Sequence, residues 1–287
     1  SDIFKGILFS MRPKQWTKNL LLFAGILFSK NLFNLELLLK TTVGFFIFCL
    51  VSGTVYLIND INDIEEDKKH PEKSKRPLPS GQISISQAVI AVVIIVLFSF
   101  IAAFSLKINF GFATVAYFIT VAFYSFFLKH IVIIDVLAIA AGFVLRATAG
   151  VAIVEVYISP WLLICTVLLA LFLALSKRRY EINYLQENAS GHRKVLKDYS
   201  VAYLDQLISI VTAATIMGYS LYTFNSDKSV YLMATIPFVV YGIFRYLYLI
   251  HEQNKGGSPE TILLKDKPLL FNIILWGLAS VIILYFV

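Results

Sequence analysis

Charge is scarce in this chain, and that scarcity excludes more than any motif does. Only 15% of the 287 residues are Asp, Glu, Lys or Arg, and 58% are hydrophobic, with a mean hydropathy of +0.77. Soluble domains carry about 25% charged residues. A soluble globular fold is therefore excluded, and an integral membrane protein is what remains. Cysteine is nearly absent too. Cys49 and Cys165 are the only two and both lie in apolar runs, where a small buried hydrophobe is the ordinary reading and neither a disulfide framework nor a thiolate metal site is supported. The four histidines, His70, His130, His192 and His251, fall at no metal-ligand spacing, which removes a zinc site. The opening Ser1-Asp2-Ile3-Phe4-Lys5 leads into no short apolar core with a small-residue cleavage site, so the first apolar run is expected to be a resident span.

Long apolar runs are what the chain has in abundance. Runs of about 20 residues cross a bilayer as helices, and nine candidates lie near 19–35, 38–58, 84–105, 108–128, 131–153, 159–176, 203–224, 229–250 and 268–287. The expected fold is all-α and polytopic, a single domain over residues 1–287 with nine transmembrane helices and its termini on opposite sides. Positive charge tests that topology. One side collects Lys5, Arg12, Lys14 and Lys18 of the N-terminus, Lys68, Lys69, Lys73, Lys75 and Arg76 of the second loop, and Lys129 of the fourth. It also takes Lys177, Arg178, Arg179, Arg193, Lys194 and Lys197 of the sixth loop, and Arg245, Lys255, Lys265 and Lys267 around the eighth. The other side has Lys30, Lys40, Lys107 and Lys228, while Arg146 is inside a span. The basic side is cytoplasmic by the positive-inside rule. The formal net charge of +7 then belongs to membrane-flanking loops, and nucleic acid is not an expected partner. Trp16 and Trp161 read as interfacial anchors. The 24 Phe and 15 Tyr suit either a long apolar ligand or a lipid-facing surface.

Between the second and third runs stands Asn59-Asp60-Ile61-Asn62-Asp63-Ile64-Glu65-Glu66-Asp67. At about 100° of rotation per helical residue, positions 60, 63 and 67 fall in a sector of roughly 60°. Three carboxylates then face one point. Such charges repel, and a bound Mg²⁺, which takes oxygen ligands and commonly bridges to phosphate oxygens, turns the repulsion into coordination. Asp60, Asp63 and Asp67 are therefore the candidate catalytic and metal residues, and a phosphorylated substrate is expected. Glu65 and Glu66 read as solvated surface. An EF-hand is excluded because its turn glycine and terminal bidentate glutamate are missing at the needed offsets. Cations flanking the carboxylates, Lys68 and Arg76 among them, are candidates for phosphate oxygens that a metal does not reach.

The second and sixth cytoplasmic loops are long enough to hold structure of their own. The second, residues 59–81, ends in Lys75-Arg76-Pro77-Leu78-Pro79-Ser80-Gly81, whose prolines and glycine stop a helix and turn the chain back. The sixth, residues 177–199, opens with Lys177-Arg178-Arg179-Tyr180-Glu181. Arg146 is weighed apart from them. A guanidinium at a span centre costs about 2.5–3.5 kcal/mol, so Arg146 is expected to line a polar cavity, with pairing to another helix as the alternative. It stands some 11 residues beyond Asp135, about 16 Å along a regular helix.

On these residues the chain resembles the UbiA-type membrane prenyltransferase superfamily. Asn59-Asp60-x-x-Asp63-x-x-x-Asp67 matches that superfamily's first aspartate-rich motif without a departure, and follows the second span as it does there. The resemblance covers nearly the whole chain. It implies an all-helical ring of nine spans around a central cavity, with Mg²⁺ and a diphosphate at the cytoplasmic end and a lateral opening toward membrane lipid. The second motif departs from the pattern. Where prenyl diphosphate-dependent members usually have Asp-x-x-x-Asp, Lys177-Arg178-Arg179-Tyr180-Glu181 supplies one carboxylate and three cations. That resembles the decaprenyl-phosphate phosphoribosyltransferase branch. So do Arg12-Pro13-Lys14-Gln15-Trp16-Thr17-Lys18-Asn19, Leu128-Lys129-His130 and the run from Asp135 to Arg146.

The resemblance implies Mg²⁺-dependent transfer of a 5-phosphoribosyl group from phosphoribosyl diphosphate to a polyprenyl phosphate, in a bacterial cytoplasmic membrane and in the service of the cell envelope. It adds Asn59 to the metal site. The substrate-binding positions it implies are Arg12, Lys14, Lys18, Asn59, Lys68, Arg76, Tyr124, Lys129, Asp135, Arg146, Lys177, Arg178, Glu181 and Arg193. The wider superfamily has a Tyr and Lys one residue closer together than Tyr124 and Lys129, which leaves open which of them touches phosphate. The changed second motif makes chemical sense. Departure of diphosphate leaves an oxocarbenium ion at the anomeric carbon, the donor carries a separate 5-phosphate, and the acceptor is a phosphate monoester already ionised. Extra cations suit that anion load, and no general base is required. Two other readings compete. A prenyltransferase acting on an aromatic acceptor is disfavoured by the missing aspartate pair, and a transporter with a buried ion path by the metal-type spacing.

Overall fold

A computed structural model describes residues 2–69, 73–157, 159–187, 194–225, 230–253 and 259–287. Every regular element among the described residues is helical. Helix α1 (Asp2–Ser10) is followed by Arg12, whose left-handed backbone (φ 51°) turns the chain into Pro13. A ten-residue 3-10 helix (Pro13–Leu22) then runs into α2 (Phe23–Phe28). Next come α3 (Leu35–Asn62), the short α4 (Ile64–Lys69), α5 (Ile85–Leu106), α6 (Ile108–Phe126), α7 (Ile134–Val154) and α8 (Pro160–Glu187). The last four are α9 (Val201–Phe224), α10 (Ile236–His251), the short α11 (Pro259–Lys265) and α12 (Lys267–Phe286). Local chemistry sets several of these starts. Asn34 accepts from the Leu37 amide, Ser84 and Gln87 form a reciprocal capping box, and Asp266 caps α12 just ahead of Pro268.

Eight helices among the described residues are long and apolar enough to cross a membrane, α10 being counted with the 3-10 turn Val230–Thr235 before it. The remaining expected run, 19–35, is built differently, from the end of the 3-10 helix and the six residues of α2. A 3-10 helix rises about 2.0 Å per residue against about 1.5 Å for an α-helix. Residues 13–28 in line would thus extend about 29 Å, close to the roughly 30 Å hydrocarbon core. A shorter, tighter segment has replaced a full-length α-helix.

The chain forms two compact units. The first comprises Ser1–Ile26, Asn31–Phe127 and Leu145–Val156. Its core is Leu22, Phe48, Val51, Phe110, Tyr117 and Ile153, with the Phe48 and Tyr117 rings 4.9 Å apart. Gly150 on α7 lets the 3-10 helix approach closely, for a Cβ there would stand 2.0 Å from the Leu22 carbonyl oxygen. On α5, Ile90, Ile94, Leu97 and Ile101 are exposed in a single helical stripe, the surface that hydrocarbon covers. The second unit comprises Leu27–Lys30, Leu128–Val144 and Tyr157–Val287. Phe172, Leu175, Leu204, Ile208, Ile243, Tyr246 and Leu269 form its core.

Candidate active site

The polar chemistry of the first unit collects where α3 ends. The helix carries no charge between Lys40 and Ile58, then presents Asn59 and Asp60 and stops at Asn62 with Asp63 as its cap. The Asp63 amide still donates to the Asn59 carbonyl at 2.9 Å and the Asp67 amide to the Asp63 carbonyl at 2.8 Å. Helical phase therefore carries across the break, which keeps Asp60 and Asp67 on one side. Both are almost fully buried, at 2% exposure each.

Charges this deep need partners, and the chain supplies cations. Arg76 donates through Nη1 to Asp60 Oδ1 at 3.1 Å and to Asp67 Oδ2 at 2.7 Å, bridging the two. Arg12 donates to the same Asp60 oxygen at 2.8 Å while its guanidinium lies 4.6 Å from the Tyr56 ring centroid. Lys73 approaches Asp67 at 3.4 Å. Arg76 is carried by the turn the sequence marks. Ser80 donates to the Arg76 carbonyl at 3.0 Å, Ile83 to that of Pro77 at 3.1 Å, and Gly81 takes a positive φ of 79°. Leu78 and Ile83 are buried beneath it.

Two other members of the motif differ from these. Asp63 is half-buried and accepts from Asn62 Nδ2 at 3.0 Å. Asn59 donates to Ser125 Oγ at 3.1 Å, while its own Oδ1 is buried with no hydrogen-bond partner among the described residues. A buried acceptor left in that state invites a donor or a cation. In kind, the donor set fits a hard divalent ion, since all of its atoms are oxygens. In arrangement, the charges of Asp60 and Asp67 are met by guanidinium. Among the described residues no three His, Cys, Asp or Glu side chains are gathered as a metal set.

The flanking candidates scatter. Lys68 is exposed and pairs with Glu65 at 2.7 Å, a hydrogen bond that holds the Glu65 carboxyl below its ordinary range. Lys14 is exposed, and Lys18 and Tyr124 are half-buried. Arg146 is 8% exposed within the first unit. It donates from Nε to Asn19 Oδ1 at 2.9 Å and from Nη2 to the Tyr117 hydroxyl at 2.8 Å, with its guanidinium 4.8 Å from the Tyr117 ring centroid. Asn19 in turn donates to Ser52 Oγ at 3.1 Å.

In the second unit, Asp135 at 0% exposure and Arg178 at 1% form a buried pair, with Arg178 Nε 2.7 Å from Asp135 Oδ2. Arg178 Nη1 also donates to Glu181 at 2.8 Å, one helical turn on. The Tyr199 hydroxyl donates to the other Asp135 oxygen at 2.7 Å and accepts from the Ile133 amide at 2.8 Å. Burial, and then the carboxylate that accepts its proton, push the Tyr199 phenol well above its ordinary range. Lys129 and Lys177 are half-buried. Arg193 lies outside the described residues.

The sequence reading missed Tyr56, Tyr117 and Tyr199 as partners of these charges, and Ser125 as the partner of Asn59. Tyr117 carried a usable signal, because a buried guanidinium needs polar groups at its own depth and Tyr117 stands within an apolar run. Tyr199, 64 residues from Asp135, carried none.

Residues 20–273 match the model of the UbiA prenyltransferase family. The chain is 30% identical to a decaprenyl-phosphate phosphoribosyltransferase of Mycolicibacterium smegmatis, an alignment covering 96% of this chain and 91% of that one. It is likewise 30% identical to the protein of that name from Corynebacterium glutamicum, covering 99% and 88%. Among solved structures it resembles a UbiA homolog from Archaeoglobus fulgidus bound to GPP and Mg²⁺, with a TM-score of 0.74 at 18% identity over 97% of this chain and 99% of that one. The matched residues include the first aspartate-rich motif, seven of the eight long apolar helices found among the described residues, and the first two turns of the eighth. This integral membrane protein belongs to the UbiA prenyltransferase family.

Proposed function

We propose that this chain transfers the 5-phosphoribosyl group of phosphoribosyl diphosphate to a polyprenyl phosphate and releases diphosphate, with Mg²⁺ as cofactor. The observation that carries this reading is likeness at 30% identity, over 96–99% of the chain, to proteins named decaprenyl-phosphate phosphoribosyltransferase. The residues agree with it chemically. Asn59, Asp60, Asp63 and Asp67 would hold Mg²⁺, which when bound supplies neutralisation of the departing diphosphate. Arg12, Arg76 and Lys73 bring three cations to the same carboxylates and are the groups to grip phosphate oxygens. Lys14, Lys18, Lys68, Tyr124, Lys129, Arg146, Lys177 and Arg193 are further substrate-binding positions of this reading. Asp135, Arg178 and Glu181 serve it as a charge-paired frame. The ionised acceptor phosphate attacks the anomeric carbon, the bond to diphosphate breaks, and no side chain has to remove a proton. The excess of Lys and Arg expected on one side supports a cytoplasmic location for this chemistry.

Diphosphate release tests the reading. Purified protein with phosphoribosyl diphosphate and Mg²⁺ should release diphosphate only when a polyprenyl phosphate is added. Release that instead requires an isoprenyl diphosphate and an aromatic acid would replace phosphoribosyl transfer with prenyl transfer.

A further inference from the structure

Two of the carboxylates read as metal ligands, Asp60 and Asp67, are already neutralised by the chain itself. Arg76 spans Asp60 and Asp67 with one Nη1, Arg12 takes Asp60, and Lys73 stands beside Asp67. Both carboxylates are buried while the Arg12 and Arg76 side chains are about a third exposed, so these two contacts are screened less than pairs between two surface groups. A cation arriving alone would have to displace a guanidinium that already meets the same oxygens. It would also enter a region that the Arg12 and Arg76 charges make repulsive to it.

We infer that Arg76, with Arg12, is a gate on the metal site, closing it to a free divalent cation and opening it to the cation together with a diphosphate. The inference rests on the reading of Asp60 and Asp67 as metal ligands. A diphosphate offers guanidinium groups a denser set of oxygens than one carboxylate does, in the bidentate geometry that Arg prefers. When Arg76 and Arg12 turn to those oxygens, Asp60 and Asp67 are released to the metal. The unpartnered Asn59 Oδ1 gains a cation in the same event. Movement is confined to side chains, because the turn bearing Arg76 is fixed by its own backbone bonds and by buried Leu78 and Ile83. The device makes binding of metal and donor mutually reinforcing, so the carboxylates are not held by a metal that has no substrate to act on.

The test is Mn²⁺ binding to the full-length protein in detergent, followed by the loss of the free-ion paramagnetic resonance signal with no diphosphate present. Wild type should bind weakly. Arg76→Gln should bind Mn²⁺ about tenfold more tightly or better, since it removes a cation in contact with two carboxylates, while Arg76→Lys, which keeps the charge, should stay weak. Arg12→Gln, whose arginine touches Asp60 alone, should show the same direction with a smaller gain and guards against a misfolded Arg76 variant. Equal or weaker Mn²⁺ binding in both Gln variants would overturn the gate. An Asp60→Asn control separates the two levels. With diphosphate present, which itself complexes the free ion, protein-bound Mn²⁺ is read by equilibrium dialysis against the same mixture without protein, and if Asp60→Asn abolishes it the metal site stands and only the gate is in question. If that variant binds Mn²⁺ as wild type does, the metal-site reading itself fails.

Discussion

Arg178→Met should unfold the second unit more readily, and the size of the effect follows from burial. Asp135 is 0% exposed and receives Arg178 Nε at 2.7 Å. Removing one member of such a pair strands the other and costs about 3–5 kcal/mol. Tyr199 still donates to Asp135 at 2.7 Å, which offsets part of this, so we expect about 3 kcal/mol. At roughly 2–4 °C per kcal/mol for chains of comparable size, the apparent melting temperature falls by about 6–12 °C. Asp135→Asn should cost less, because Glu181 continues to neutralise Arg178 at 2.8 Å. The double variant, which leaves neither charge uncompensated, should recover most of the loss, with a coupling of about 2 kcal/mol. The assay is thermal unfolding of the four proteins in one detergent, each also assayed for KM toward the donor. Additive losses would refute the pairing argument. A wild-type melt with a raised KM in Arg178→Met would put the guanidinium on the substrate and not in the frame.

Other substitutions probe separate parts of the account. Asp60→Asn and Asp63→Asn should each abolish turnover across a Mg²⁺ titration while leaving a folded protein by melting, and near-normal activity in both would remove the metal assignment. Gly150→Ala should lower the melting temperature by the equivalent of about 1–3 kcal/mol, since its Cβ would meet the Leu22 carbonyl at 2.0 Å. Gly277→Ala on α12, where a Cβ meets nothing within 4 Å, should stabilise slightly, and the reverse order would show that close approach is not what Gly150 provides. Arg146→Leu deprives the buried Asn19 and Tyr117 oxygens of their donor and should cost about 1–3 kcal/mol. An unchanged melt with lost activity would instead assign Arg146 to substrate.

Hydropathy located eight of the nine expected spans because it measures how much chain lies in hydrocarbon. It does not report where a helix ends. The sixth run was read as stopping at 176, yet α8 continues to Glu187, since Lys, Arg and Glu leave the membrane without leaving the helix. The run at 19–35 misled in the other direction, as an apolar stretch reads alike whether coiled at 3.6 or 3.0 residues per turn. The spacing of Asp60, Asp63 and Asp67 was legible because it is local. The partners of those charges were not. Arg12 reaches Asp60 across 48 positions and Arg178 reaches Asp135 across 43, and such separations are set by packing. Sequence reading therefore treated Arg12, Arg76 and Arg178 as cations for a substrate, whereas in the free chain each holds a buried carboxylate.

The transfer itself is the most direct test of the function. Phosphoribosyl diphosphate labelled separately in the ribose, the 5-phosphate and the diphosphate should be incubated with protein, Mg²⁺ and a polyprenyl phosphate, and the lipid then extracted. Ribose and 5-phosphate label should move to the lipid in equal amounts while the diphosphate label stays in the aqueous phase, and Asp60→Asn should prevent both. A lipid carrying diphosphate label, or no label while an isoprenyl diphosphate is transferred to an aromatic acid under the same conditions, would contradict the account.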